Sequence, residues 1–121
     1  MDIRIELCGS DRKFVAFLDD LFVGDLKYKF SDDLGRRRNV EIKYIHVIPA
    51  MRRKGIATKL IKHFLEYTMD RVWISLWTGK ESEVNKTYSL YEKCGFEQKT
   101  ICEDYYAPGI PTRLFTKRNG E

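Results

Sequence analysis

The stretch Val47-Ile48-Pro49-Ala50-Met51-Arg52-Arg53-Lys54-Gly55-Ile56-Ala57-Thr58 marks the point where the periodicity of this chain changes. Before it, Val40 to Ile48 reads as a strand that stops at Pro49, a residue that cannot donate to a ladder. Beyond it, Ile56, Leu60 and Phe64 recur at i, i+4 and i+8 beside Ala57, Ile61 and Leu65, which predicts an amphipathic helix over Gly55 to Met69. Between them lies a basic loop opening on small residues. The first N–H groups of a helix have no internal partner and point along its axis, so this junction suits an anion. Gly55 and Ala57 keep side chains out of a ligand's way. Arg52, Arg53 and Lys54 place cations where a first turn more often carries Asp or Glu, a local conflict that a ligand site produces. Read alone, the three charges are more simply a solvated loop; the context of strand end and helix start favours the ligand site.

Working outward, Ile3 to Leu7 alternates apolar and charged residues and ends at Cys8-Gly9-Ser10-Asp11, as a half-buried strand before a turn does. Lys13 to Leu18 reads as a second strand and Leu21 to Phe30 as a third, with Gly24 a bulge or a site of close approach. Ser31 to Arg38 reads as a polar loop, and its Arg36-Arg37-Arg38 as a charged hairpin tip. After the helix, Val72-Trp73-Ile74-Ser75-Leu76-Trp77 is a nearly continuous apolar run, read as a buried parallel strand reached by a crossover. Glu83 to Lys93 predicts a second helix with Val84, Thr87, Tyr88, Leu90, Tyr91 and Cys94 inward, ending at Gly95. Phe96 to Glu103 and Arg113 to Lys117 supply the last strands. The fold class expected is α/β (an α+β mixed sheet): mostly antiparallel, with a central parallel β-α-β unit and two main helices.

The 121 residues fit one compact domain, which buries roughly 65% of its extended surface on folding. A hydrophobic share of 43% excludes a disordered chain, and no run approaches the ~20 apolar residues that cross a bilayer. Met1 to Glu6 is interrupted by charge and is no signal peptide, so the expected location is cytoplasmic. The net charge of +4 favours an anionic partner. Cys8, Cys94 and Cys102 have neither C-x-x-C nor zinc-ligand spacing, and are expected to be free thiols in or near the core, with no metal. His46 and His63 lack ligand-spaced partners, and Trp73, Trp77 and Phe64 read as core rather than as a cofactor cage.

The sequence resembles the GNAT superfamily of acyl-CoA-dependent N-acyltransferases. Its signature is V-x-P followed by R/Q-x-x-G-x-G/A at a helix start, which Val47-Ile48-Pro49 and Arg52 to Ala57 match. A second signature, an Asn some residues before L-Y-x-K-x-G-F, matches Asn85 and Leu90-Tyr91-Glu92-Lys93-Cys94-Gly95-Phe96. Tyr105-Tyr106 is similar to aromatic residues in the ribosomal-protein branch.

The resemblance implies acetyl-CoA as cosubstrate, its pantetheine arm hydrogen-bonding along Ile45, His46 and Val47 like an added strand. Its pyrophosphate would sit on Arg53, Lys54, Gly55, Ile56, Ala57 and Thr58, Arg52 would belong to the same cofactor site, and Asn85 would contact the cofactor from the second helix. It implies direct attack of an amine on the thioester, with Tyr91 as the acid that protonates the leaving thiolate and Glu41 as the base. A core tyrosine and a solvated strand glutamate are the competing readings of those two. Only Cys8 to Arg12 separates the first two strands, where the family usually places two helices that often form part of the acceptor site. Ser75 stands where ribosomal-protein acetyltransferases tend to carry a carboxylate. The reading is an N-acetyltransferase acting on a primary amine of a protein or a small molecule, in which a homodimer could supply the missing acceptor wall. The alternative is a non-catalytic module that binds CoA or nucleic acid, though no nucleic-acid-binding signature is present.

Overall fold

Period-two alternation in the first part of the chain becomes four antiparallel strands: β1 (Ile3–Cys8), β2 (Lys13–Leu18), β3 (Leu21–Ser31) and β4 (Asn39–Val47). The computed structural model describes residues 2–31, 39–69 and 73–118. Arg36, Arg37 and Arg38 lie outside the described residues, as does Val72. The helix α1 (Ile56–Tyr67) then crosses to β5 (Trp73–Trp77), which runs parallel to β4. Two short helices, α2 (Lys80–Asn85) and α3 (Ser89–Lys93), lead into the hairpin β6 (Glu97–Ala107) and β7 (Ile110–Arg118). The sheet order is β1-β2-β3-β4-β5-β7-β6, so the last hairpin places β7 rather than β6 beside β5.

The one parallel pair in this order is the predicted β-α-β unit. The second helix departs from expectation. It breaks at Lys86, whose φ of 54° is left-handed, and the chain turns through Thr87 and Tyr88 before α3 starts. Among the described residues there are thus three α-helices rather than two, and Val84 and Thr87 are exposed rather than inward.

All three helices lie on one face of the sheet. Phe64 of α1 packs on Tyr28 and Phe14, which share a face with Ile42 by register. Ile42 registers with Leu76 and Leu76 with Phe115, against which Tyr91 of α3 packs at 5.5 Å. Leu26, Tyr28, Leu60, Ile61, Phe64, Ile74 and Phe115 are almost fully buried in this single core. The other face carries no helix among the described residues, because β1 turns directly into β2 through Gly9 to Arg12. Trp73 and Trp77 point to that bare face and are 43% and 45% exposed, so the expectation that both are core is corrected; Phe64 alone is core. Cys102 is likewise exposed, whereas Cys8 and Cys94 are half-buried, and all three are free.

Candidate active site

The parallel pairing of β4 and β5 covers only Asn39 to Ile42 against Trp73 to Leu76. Beyond it the two strands diverge. Tyr44 to Val47 pair with β3 on one side and with no strand on the other, while Trp77 pairs with Leu114. A wedge opens between the strands with the backbone edge of Ile45, His46 and Val47 along one wall. The opening begins at a bulge: Lys27 registers with Tyr44 and Tyr28 with Ile42, leaving Lys43 as the extra residue. Such a bulge bends its strand and raises its twist.

At the mouth of the wedge lies the turn Arg52 to Gly55. Arg53 and Gly55 both take left-handed φ, 62° and 79°, and Gly55 occupies the N-cap of α1 with no side-chain cap. No backbone carbonyl among the described residues accepts from the N–H groups of Arg53 to Thr58; the helix ladder starts with Lys59 donating to Gly55. A Cβ on Gly55 would meet nothing within 4 Å, so the space above those donors is open. Successive free N–H groups with no acidic residue in the first turn have the donor arrangement that an anion can accept from. Ile56 is 1% exposed, and only its backbone contributes to this arrangement. Arg53 and Lys54 are exposed. Arg52 is engaged otherwise: its Nε donates to the Val47 carbonyl at 3.1 Å, and its guanidinium pairs with Glu81 of α2. It therefore ties the end of β4 to α2 instead of standing free beside the turn with Arg53 and Lys54. Asn85 ends α2 and is exposed.

Tyr91 and Glu41 stand on opposite faces of the sheet. The Tyr91 ring packs on Phe96 and Phe115, and its hydroxyl pKa is raised by burial, opposed by a hydrogen bond from Ser82 and reinforced by the Glu83 charge. Glu41, between the inward Val40 and Ile42, points to the bare face, where Lys43 lies 3.6 Å from its carboxylate. Across the ladder from Glu41, Ser75 and Thr116 share its face and, with Asn39 and Trp73, line a recess of about 240 Å³. Thr116 Oγ1 is buried there without a hydrogen-bond partner.

Several polar anchors were missed at the sequence level. Asp25, 7% exposed, accepts from the Tyr44 hydroxyl at 3.0 Å and lies 3.7 Å from Lys13. An aspartate inside an apolar strand was the available signal. Glu83, whose side chain is 3% exposed, accepts from Arg113 Nε at 2.9 Å and fastens α2 to β7. The Thr78 carbonyl accepts from Thr112 and Tyr106 hydroxyls, both at 2.8 Å, so Tyr106 holds the exit of β5 while Tyr105 remains 63% exposed. No group of three or more metal-ligating side chains occurs among the described residues, and none of their helices is long and apolar enough to cross a membrane.

A mixed sheet splayed beside one parallel pair, with an uncapped helix start at the mouth of the splay, is a scaffold that can take an extended, anion-bearing ligand between two strands. The family model for the acetyltransferase (GNAT) family matches residues 2–96, and the chain belongs to that family. Among curated proteins it is 31% identical over 62 residues to the [ribosomal protein bS18]-alanine N-acetyltransferase of Salmonella typhimurium, a match covering 51% of this chain and 42% of that one. The matched stretch thus spans less than half of that relative's length. Among solved structures it is similar to the IAA acetyltransferase from Bacillus cereus, with TM-score 0.77, 19% identity and coverage of 97% of this chain and 99% of that one. It is also similar to a Bacillus subtilis acetyltransferase in complex with CoA, with TM-score 0.72, 21% identity and coverage of 88% and 75%. These structural likenesses establish the fold.

Proposed function

We propose that this chain is an N-acetyltransferase that moves an acetyl group from acetyl-CoA to a primary amine by direct attack. The observation that carries the reading is the wedge between β4 and β5, with its unpaired backbone edge and unpartnered N–H groups at its mouth. Ile45, His46 and Val47 would hold the pantetheine arm and the N–H groups of Arg53 to Thr58 the pyrophosphate, with Lys54 and Asn85 alongside. Arg52 links the end of β4 to α2 through the Val47 carbonyl and Glu81. The cosubstrate supplies an activated thioester.

The chain's own contribution is proton management from two sides. Tyr91, with a raised pKa, keeps its hydroxyl proton at neutral pH and is the group that gives it to the departing thiolate. For an unshifted phenol near pKa ~10 and a thiolate whose acid is near ~8.5 the transfer is uphill by about 2 kcal/mol, and the burial of Tyr91 adds to that cost. Glu41 is the group that takes the proton of the attacking amine on the bare face. A lysine amine near pKa ~10.4 is only about 0.04% neutral at pH 7, against roughly 10% for an α-amine near ~8, so a lysine acceptor depends far more on this base.

Calorimetric titration with acetyl-CoA, followed by free-thiol detection with a panel of amines, tests the proposal. Saturable micromolar binding and acceptor-dependent thiol release are expected. Absence of both would refute it.

A further inference from the structure

We infer that the amine acceptor carries its own carboxylate, which lodges between Lys27 and Lys29. The inference rests on the proposed acetyl transfer, with Glu41's face as the acceptor side. By register and by the Lys43–Glu41 pair, Lys27, Lys29 and Lys43 lie on that face, and they line a cavity of about 410 Å³ together with Tyr28 and the turn residues Ser10, Asp11 and Arg12. Four of these are cations and one is a carboxylate.

Their existing contacts leave most of that charge unanswered. Lys43 is engaged with Glu41 at 3.6 Å, and Lys27 donates at 3.5 Å to the neutral backbone carbonyl of Asp11. Arg12 is turned away, its guanidinium over the Phe30 ring at 5.3 Å on the helix-bearing face, and no carboxylate among the described residues pairs with Lys27 or Lys29. The direction is set as well. The recess on the other side of Glu41 is lined by hydroxyls, an amide and Trp73, without a cation.

Placement gives the reach. Lys29 registers directly opposite Glu41 and Lys27 opposite Tyr44, so both lie one strand away from the base. Neighbouring strands are ~4.8 Å apart, which puts an anion about 5–10 Å from an amine held above β4. That span fits a carboxylate within the first two residues of a peptide N-terminus or on a small amino acid. The family's usual helices between the first two strands are replaced here by the turn Gly9 to Arg12, which supplies Ser10, Asp11 and Arg12 to the wall.

The test uses the full chain with CoA or acetyl-CoA present. Tetrapeptides with Asp at position 1 or 2 are compared with their Asn isosteres, and free aspartate with asparagine, by thiol-release kinetics and by calorimetric binding. A preference of about tenfold for the acid, expressed in KM and falling as salt rises, is expected. The peptide and amino-acid arms distinguish the two sources. In a Lys27→Gln/Lys29→Gln protein of unchanged melting temperature the acid-to-amide ratio should approach one, and in Lys29→Glu it should fall below one. A wild-type ratio of one, or a ratio unmoved by these substitutions, overturns the inference even if acetylation proceeds. Preferential binding of the acid without any thiol release would uphold the anion site and sink the acetyl-transfer reading.

Discussion

Gly24→Ala is the substitution whose consequence the structure specifies most closely. Gly24 lies on β3 opposite Val47, at the end of the strand that walls the wedge. A Cβ there would lie 2.6 Å from the His46 carbonyl oxygen and 3.3 Å from the Val47 Cα, both backbone atoms that no rotamer change can remove. The end of β4 must therefore shift. Overpacking of this kind costs about 1–3 kcal/mol. For a chain of 121 residues the unfolding entropy is about 0.25 kcal/mol/K, so the melting temperature should fall by about 4–12 °C. The same shift displaces the backbone edge of Ile45 to Val47, so acetyl-CoA binding should weaken alongside. Gly9→Ala is the control, since a Cβ at Gly9 meets nothing within 4 Å. Differential scanning fluorimetry and calorimetric titration of both variants read the two effects. A Gly24→Ala protein that melts with the Gly9→Ala control and binds acetyl-CoA as tightly would refute the close approach and its link to the site.

Tyr91→Phe should lower turnover by about a hundredfold or more while leaving acetyl-CoA affinity in place, and unchanged turnover would return Tyr91 to a packing role. Glu41→Gln should displace the low-pH limb of the pH–rate profile for a lysine-like acceptor; an unaltered profile removes Glu41 from the mechanism. Arg113→Leu strands the buried Glu83 carboxylate and should cost about 2–4 kcal/mol in chemical denaturation, most of it recovered in the Glu83→Leu/Arg113→Leu double variant. Tyr28, pushed up to about 12 first by burial and then by its hydrogen bond with Tyr67, stays neutral in the folded protein while an unfolded tyrosine ionises near pH ~10. The unfolded state then binds fewer protons, so stability should fall between pH 10 and about 12 by up to about 1.4 kcal/mol per pH unit. A Tyr28→Phe protein showing the same slope would assign it elsewhere.

Much of the architecture follows from local pattern. The change from period two to period 3.6 across Pro49 places β4 and α1 within one or two residues of where they lie, because burial of Ile56, Leu60 and Phe64 demands helical spacing. The basic turn with Gly55 is equally legible, since positive φ and an uncapped helix start are properties of a few adjacent residues. Gly24 announced a close approach, although nothing local says that the approaching group is the His46 carbonyl.

The rest depended on which surfaces cover one another. The run Trp73 to Trp77 reads as buried throughout, yet with helices on one face only, Ile74 and Leu76 turn inward and both tryptophans remain half-exposed. The second helix reads as continuous, but the buried Glu83–Arg113 pair fixes α2 on β7 while Tyr91 packs against Phe115, and the chain breaks at Lys86 between those attachments. The resemblance to the family nominates Tyr91 and Glu41, but their stations on opposite faces follow from strand register. The sequence by itself determined most of the elements, their order along the chain and the basic turn at Gly55, because each is set by side chains a few positions apart. The tertiary structure alone decided where β4 and β5 part, which face stays open and which cations gather there, because those depend on pairing between strands distant in the chain.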